Sequence, residues 1–333
     1  MSVTTVFIAL QAVSFPAMTS NSQNPVLVVC GPTASGKSNL ALDIAIAFGG
    51  TVINADSMQV YRELRILTAR PSPTDEAQAP HHLYGIASIA DTFSAGRWQP
   101  LAEQAIGEAN KAGSLPIVCG GTGLYLKALM EGLSPMPEIP ADIRAQVRQQ
   151  MAAKGSLHCH QLLADCDPAS AARLASGDTQ RIARALEVYE ATGKPLSVWQ
   201  AEAPIGPDPD WRFSTILIAP PRAETNAAIE QRFDKMIDAG ALEEVRTIAD
   251  LDAELPALRA LGVPHLRRHL AGDISLEEAA ARSKTATRQF AKRQMTWFKN
   301  QIIADKTLPA QYLESFSDEI FSFIRSFLLT DSG

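Results

Sequence analysis

A glycine-rich loop near the start of the sequence lies between an apolar run at residues 26–30 and helical spacing at residues 39–48. The loop reads Gly31-Pro32-Thr33-Ala34-Ser35-Gly36-Lys37-Ser38 and fits the pattern G-x(4)-G-K-[ST]. Its glycines let backbone N–H groups wrap a phosphate, and the helix that follows adds a positive dipole end. Lys37 supplies a positive charge, and the Ser38 hydroxyl is expected to ligate Mg²⁺. We therefore assign all eight residues to a diphosphate- or nucleotide-binding site.

Apolar runs alternate with helical patterns through the first half of the chain. Residues 26–30, 51–53 and 115–119 read as strands, and a helix is expected near residues 98–112. This alternation is typical of βαβ units and a parallel sheet. A further strand is expected at residues 213–218. The predicted fold is α/β, with a P-loop NTPase-like parallel sheet core flanked by helices.

A proline-rich segment, LSPMPEIP at residues 133–140, precedes a stretch that reads as entirely helical from 141 to 200. Prolines at 204, 207 and 209 then mark a return to the sheet. The simplest organisation is a catalytic core of residues 25–137 plus 210–315. An all-helical insertion domain at residues 138–209 interrupts it.

The first residues and the cysteines bear on the cellular compartment. Residues 6–13 are apolar, but no Lys or Arg precedes Lys37, so the basic region of a signal peptide is missing. No run of 18 apolar residues predicts a membrane span. The four cysteines form no CxxC pair, which is typical of reduced thiols. We expect an unstructured tail at residues 1–24, a cytoplasmic location, no membrane partner and a monomer.

Polar residues follow two of the predicted strands directly. Asp56 comes after the strand at 51–53, and Gly120-Gly121-Thr122 comes after the strand at 115–119. In parallel α/β sheets, sites form at the carboxyl ends of the strands. Asp56 there can accept a proton from an attacking nucleophile, or it can simply cap a following helix. Thr122 is open to the same alternative, as a cap beside a tight turn.

The phosphate loop does not identify the compound that binds. The sequence contains no NKxD guanine signature and no obvious Walker B strand ending in Asp. Several longer blocks are more specific and extend from about residue 26 to residue 300. They are GPTASGKS, NADSMQVY, LTARP, HHL, GGTGLYLKALMEGLSP, DTQRIARALEVYEATGKPLS and RQFAKRQMTWFK. Together they resemble the successive blocks of bacterial tRNA dimethylallyltransferases.

The resemblance implies transfer of a dimethylallyl group from dimethylallyl diphosphate to N6 of the adenosine 3′-adjacent to the anticodon. The product would be N6-(dimethylallyl)adenosine, and residues 31–38 would hold the diphosphate with Mg²⁺ on Ser38. Asp56 resembles the general base, Thr122 the residue that holds and activates the base, and Arg222 a diphosphate contact. The tRNA contacts implied by the resemblance are Asp56, Ser57, Met58, Gln59, Thr122, Arg144, Gln180, Arg181, Ile182, Ala183 and Arg184.

A basic stretch near the end of the chain supports an RNA partner independently. No acidic residue lies between Ala279 and Ala304, and Lys284, Arg288 and Lys292 recur at i, i+4 spacing. A solvated charged face is the commoner explanation of such a stripe. Its lack of acidic partners, in a chain of net charge −6, favours phosphate-backbone binding. We therefore add Lys292 and Arg293 to the predicted tRNA contacts.

The chain departs from the family pattern in a few places. Leu67 stands where a Gly is usual, and Arg70 replaces a Lys. Ala228 stands where an Arg often occurs, whereas Arg232 is retained. Residues 261–265, Leu-Gly-Val-Pro-His, replace a segment that usually reads G-Y-[RK]-[EQ].

Two other functions compete with prenyl transfer. A P-loop kinase would use Asp56 as the base toward a hydroxyl acceptor and would consume ATP without tRNA. A non-catalytic RNA-binding switch would bind tRNA but consume nothing, and replacing Asp56 would leave its binding intact.

Overall fold

The computed structural model of the protein describes residues 24–330, apart from the side chain of Glu314. The described residues form two compact units. One joins the residues up to Met130 with those from Asp208 onward, and the other is Glu131–Pro207. The tail expected at residues 1–24 lies outside the described residues except for Asn24, which begins the first strand.

A parallel sheet forms the centre of the first unit. Its strands are β1 Asn24–Cys30, β2 Gly50–Asn54, β3 His81–His82, β4 Leu115–Gly120, β5 Trp211–Ile218 and β6 Lys306–Leu308. They lie in the order β3-β2-β4-β1-β5-β6, and every neighbouring pair is parallel. Each strand expected from the sequence lies within one of these elements. The predicted α/β fold with a parallel core sheet is confirmed.

Helices occur between the strands of the sheet and throughout the segment between β4 and β5. They are α1 Lys37–Phe48, α2 Pro73–Gln78, α3 Ala95–Lys111, α4 Gly123–Glu131, α5 Ala141–Cys166, α6 Pro168–Arg173, α7 Thr179–Thr192, α8 Leu196–Ala201, α9 Arg222–Asp238, α10 Ala241–Arg246, α11 Val263–Leu270, α12 Leu276–Gln301 and α13 Ser317–Leu329. Short 3-10 turns occur at Pro256–Arg259 and Glu314–Phe316.

The C-terminal helix α13 belongs to the core of the first unit, although the sequence placed the end of that core at residue 315. Its Ile320 and Ile324 are fully buried in the same cluster as Ile44 and Phe48 of α1. The Phe48 and Phe321 rings pack edge to face, with their centroids 5.3 Å apart. Burial of one such aliphatic side chain contributes about 1.5–3 kcal/mol, so α13 stabilises the helix that follows the phosphate loop.

The second unit has its own apolar core among α5, α7 and α8. Fully buried side chains from these helices include Leu163, Ile182 and Val188. Helix is not continuous from 141 to 200, since Gly155 adopts φ +78° within α5 and loops separate the later helices. Leu133 and Ile205 pair in an antiparallel bridge, which explains why this unit includes Glu131–Pro137.

Candidate functional site

The phosphate loop between β1 and α1 has a conformation that depends on its glycines. A Cβ on Gly31 would lie 2.7 Å from the Ile218 carbonyl oxygen of β5. Gly36 has φ +89° and precedes α1 without a side-chain cap. The first-turn N–H groups of α1 therefore have no side-chain acceptor, and such a helix start is a ready site for an anion.

Lys37 lies partly buried beneath this loop, where its Nζ donates to the Pro32 carbonyl oxygen at 3.4 Å. Burial lowers the pKa of Lys37, and the nearby Asp56 carboxylate opposes that shift. An ammonium group that loses hydration in this way gains from any anion that enters beside it. The site is therefore built to receive a negatively charged group.

Ser38, the predicted Mg²⁺ ligand, is exposed in the first turn of α1. Within residues 24–330, no group of three or more His, Cys, Asp or Glu side chains is placed to hold a metal ion. Mg²⁺ keeps several waters and is often held by one or two protein oxygens plus substrate phosphates. An accessible hydroxyl beside a phosphate loop fits an ion held in that way.

Asp56 is fixed at the end of β2 by the side chain of Asn54. The Asn54 Oδ1 accepts from the Asp56 backbone N–H at 2.8 Å, and the Asn54 Nδ2 donates to the Asp56 carbonyl oxygen at 3.1 Å. The Asp56 Oδ1 accepts from the Met58 N–H at 2.9 Å, which closes a turn. No helix begins here, since the next one is α2 at Pro73, so the alternative of a helix cap is wrong.

Thr122 joins the end of β4 to the same turn. Its Oγ1 accepts from the Ser57 backbone N–H at 2.9 Å, and its own N–H donates to the Ala55 carbonyl oxygen at 3.2 Å. The chains approach so closely that a Cβ on Gly120 would lie 2.1 Å from the Ala55 oxygen. The Thr122 side chain therefore fixes the position of the Asp56 turn, and the predicted meeting of these two residues at the sheet edge is found.

Arg232 of α9 contacts the phosphate loop, although we did not assign it to the site from the sequence. Its guanidinium donates to the Thr33 Oγ1 at 2.5 Å. Burial lowers the pKa of Arg232, and the Asp56 carboxylate opposes the shift. Its presence as a retained family arginine was the one sequence signal that could have identified it.

Gln294 of α12 is a second site residue that sequence reasoning missed. Its Oε1 accepts from the Thr33 backbone N–H at 2.8 Å, and its Nε2 donates to the Gly121 carbonyl oxygen at 2.8 Å. One buried amide thus bridges the phosphate loop and the turn that carries Thr122. The available signal was a row of polar residues on one face of α12, at Ser283, Thr287 and Gln294, all of which are buried.

A cavity of about 230 Å³ opens beside these groups. Thr33, Asp56 and Arg232 form a polar part of its lining. Most of the remaining lining is apolar and comes from Met58, Leu67, Ile229, Phe233, Met236, Ala260, Leu261 and Phe290. The arrangement can therefore hold a charged group near the phosphate loop and an apolar group within reach of a carboxylate base.

The other residues predicted around this cavity differ in their placement. Arg222 begins α9 and is exposed, and its diphosphate contact stays a prediction. Gln59 donates its side-chain amide to the Thr68 and Ala69 carbonyl oxygens at 2.8 and 2.9 Å, which gives it a structural role. Leu67, a departure from the family pattern, lines the cavity. It packs closely against Gly262, where an added Cβ would lie 3.1 Å from the Leu67 side chain.

The residues predicted to contact tRNA from the second unit lie on α5 and α7. Arg144 is in the first turns of α5, and Gln180 and Arg181 are exposed at the start of α7. Ile182 is fully buried in the core of this unit, so its side chain presents no surface to a ligand. Arg181 forms an exposed ion pair with Asp178, whereas Arg184 pairs with the carboxylate of the buried Glu187.

The basic stripe on α12 has acidic partners, which corrects the sequence-based argument for it. Lys284 pairs with Asp234 at 2.7 Å, and Arg288 pairs with Glu230. Both carboxylates come from α9, about fifty positions earlier in the chain, so the local sequence could not show them. Lys292 and Arg293 are exposed, and Arg293 reaches the cavity rim, so these two remain the predicted tRNA contacts.

Replacing Gln294 tests the bridge between the two loops. Gln294→Leu would leave the Thr33 N–H and the Gly121 carbonyl without their partner, at a cost of about 1–3 kcal/mol for each buried group. We expect lower thermal stability and a fall in kcat/KM of about tenfold or more. Gln289→Leu, at an exposed position of the same helix, is the control. Equal activity of the two variants would show that the bridge is unimportant.

Comparisons with known proteins agree over nearly the whole chain. Residues 59–301 match the family model described as IPP transferase, and residues 24–86 match the one described as Isopentenyl transferase. A tRNA dimethylallyltransferase of Parvibaculum lavamentivorans is 52% identical over 308 residues, which cover 92% of this chain and 98% of that protein.

Two solved structures are also similar to nearly the whole chain. The full-length tRNA isopentenylpyrophosphate transferase of Bacillus halodurans is 30% identical with a TM-score of 0.66, covering 92% of this chain and 97% of that one. A eukaryotic dimethylallyltransferase acting on tRNA is 26% identical with a TM-score of 0.77, covering 93% of this chain and 81% of that one. The similarity therefore includes both the phosphate loop and the helical unit.

Proposed function

The chain belongs to the IPP transferase family, and from that premise we propose that it transfers a dimethylallyl group from dimethylallyl diphosphate to tRNA. The acceptor is N6 of the adenosine 3′-adjacent to the anticodon, and the products are N6-(dimethylallyl)adenosine and diphosphate. The observation that carries the proposal is the meeting of Asp56 with the phosphate loop at one partly apolar cavity. Two relatives, named as a tRNA dimethylallyltransferase and a dimethylallyltransferase acting on tRNA, support the same reaction.

The reaction breaks the bond between the allylic carbon and the diphosphate oxygen, and positive charge develops on the allylic group. The N6 amine forms the new bond to that carbon, and Asp56 accepts the proton that the amine loses. The negative charge of the departing diphosphate is stabilised by the loop N–H groups, Lys37 and Arg232. The apolar lining of the cavity excludes water, which would otherwise trap the allylic cation.

Mg²⁺ bound at Ser38 would add positive charge against the diphosphate as it leaves. The protein's own contribution at this point is the exposed Ser38 hydroxyl, presented in the first turn of α1 next to Lys37.

The adenine has to leave its stack to reach a cavity of this kind. An enzyme that modifies a base inside a pocket must flip that nucleotide out of its stack. Bases in single-stranded loops are the easiest to expose in this way. Thr122 lies next to Asp56 and would hold the flipped base there, whereas Lys292, Arg293 and the exposed residues of α7 would contact the surrounding tRNA.

The protein acts on its substrates in the cytoplasm and as a monomer in this proposal. Among residues 24–330, the structure contains no helix with the length and apolar character that a membrane span requires. Cells keep tRNA and the diphosphate donor in the cytoplasm, which supports that location.

A donor comparison separates this function from a kinase. The protein is incubated with Mg²⁺, unmodified tRNA and either dimethylallyl diphosphate or ATP, and released diphosphate and ADP are quantified. We expect tRNA-dependent release of diphosphate from the prenyl donor and no ADP. Hydrolysis of ATP that needs no tRNA, with no turnover of the prenyl donor, would contradict the proposal and favour a kinase.

A further inference from the structure

The carboxylate of Glu244 on α10 holds a loop of the cavity wall, which we call the 64–70 loop. Its Oε2 accepts from the backbone N–H groups of Arg65 and Ile66 at 2.8 and 2.7 Å. Its Oε1 accepts from the Leu67 N–H at 3.0 Å. Consecutive amides that converge on one anion form a concave binding site, and hydrogen bonds to a charged acceptor are about twice as strong as neutral ones.

The 64–70 loop contributes directly to the cavity. Leu67 and Thr68 belong to the same lining as Asp56. The Gln59 amide also donates to the Thr68 and Ala69 carbonyl oxygens, so the loop is linked to the turn that follows Asp56. The Glu244 carboxylate is thus connected, through the loop backbone, to the side of the cavity where the base would be received.

The loop depends on outside support to keep its shape. Ala69 adopts φ +53°, a left-handed conformation that is unfavourable for a residue with a Cβ. Two amides are bonded within the loop, since the Ala69 and Arg70 N–H groups donate to the Ile66 and Arg65 carbonyl oxygens at 3.0 Å each. The three amides of residues 65–67 instead have the Glu244 carboxylate as their acceptor. Of the two neighbouring acids on α10, only Glu244 contacts the loop, since Glu243 is exposed and pairs with Arg246 at 3.4 Å.

We infer that Glu244 is a positioning residue that sets the wall of the base-receiving side of the cavity and thereby the affinity for tRNA. The inference rests on the proposed function, because it names the substrate whose binding the wall affects. Glu244 itself touches neither reacting group. It acts on the cavity through the loop residues that line it, Leu67 and Thr68.

The test compares Glu244→Gln with Glu243→Gln. The glutamine amide that replaces the Glu244 carboxylate has one acceptor oxygen, so at least one of the three loop N–H groups would face an NH₂ donor instead. We expect the KM for tRNA to rise about tenfold, equivalent to about 1.4 kcal/mol. The KM for dimethylallyl diphosphate and kcat should stay close to wild type. Glu243→Gln should leave all three constants unchanged.

Hydrogen exchange of the backbone amides at residues 65–67 gives a second readout that does not depend on catalysis. We expect these amides to exchange faster in Glu244→Gln and at the wild-type rate in Glu243→Gln. Unchanged exchange in Glu244→Gln would overturn the inference. A fall in kcat with both KM values unchanged would also overturn it, because that result reports only a loss of folded enzyme. If the wild-type protein transfers no prenyl group at all, the proposed function fails instead, and tRNA affinity measured by filter binding then replaces KM in the comparison.

Discussion

Asp56→Asn is expected to lower kcat by about 10²–10⁴-fold while tRNA binding is largely kept, because general base catalysis contributes that much. The substitution is conservative. The Met58 N–H donates to the Asp56 Oδ1 at 2.9 Å, and the Oδ1 of an asparagine can accept the same hydrogen bond. The Asn54 and Thr122 contacts that fix the turn involve backbone groups and remain. What the variant lacks is a group that can take the proton from the N6 amine.

Asp252→Asn is the matched control for this substitution. Asp252 is exposed, and its Oδ1 accepts from the Glu254 N–H two residues later at 3.0 Å, as Asp56 does with Met58. We expect the control to retain wild-type turnover. Single-turnover rates and filter-binding affinities for tRNA distinguish the outcomes. Loss of tRNA binding in proportion to loss of turnover would show that Asp56 is structural.

Lys37→Met is expected to lower kcat/KM by about 10²–10³-fold, the range associated with removing one group that stabilises a developing negative charge. Methionine has a similar length, so the space beneath the loop remains filled. Burial already lowers the pKa of Lys37, which shows that its charge is held at a cost. We therefore expect the free variant to be at least as thermally stable as the wild type, since an apolar side chain avoids that cost.

The combination of intact stability and lost activity distinguishes a ligand-binding lysine from a structural one. Lys111→Met, at an exposed position in the last turn of α3, is the control and should change neither property. Steady-state kinetics with varied dimethylallyl diphosphate, together with thermal melts, give both readouts. A variant that melts much earlier than the wild type, or that retains its kcat/KM, would contradict this role of Lys37.

The parts of the site that follow from local rules were predictable from the sequence. The phosphate loop is a continuous motif between a strand and a helix, and Asp56 and Thr122 follow strands whose carboxyl ends meet at one edge. The meeting of these residues depends on the sheet being parallel and on β2 and β4 being neighbours in it. Neighbouring strands in this sheet are all parallel, and β4 lies between β1 and β2.

The parts that depend on long-range packing were not predictable. Arg232 and Gln294 reach Thr33 from 199 and 261 positions away, and nothing local to α9 or α12 identifies that partner. The same limit produced the error about the basic stripe, whose acidic partners lie on another helix. Glu244 is a further example, since a helical surface carboxylate has no sequence signal that links it to a loop near residue 66.

Transfer of radiolabel from dimethylallyl diphosphate to unmodified tRNA, with Mg²⁺ and without ATP, tests the central claim most directly. The label is mapped by nuclease digestion, and a second tRNA carries guanosine in place of the adenosine beside the anticodon. We predict stoichiometric labelling of that adenosine in the first tRNA and none in the second. Equal labelling of both tRNAs, or no labelling of either, would contradict the assignment of the Asp56 cavity to prenylation of this base.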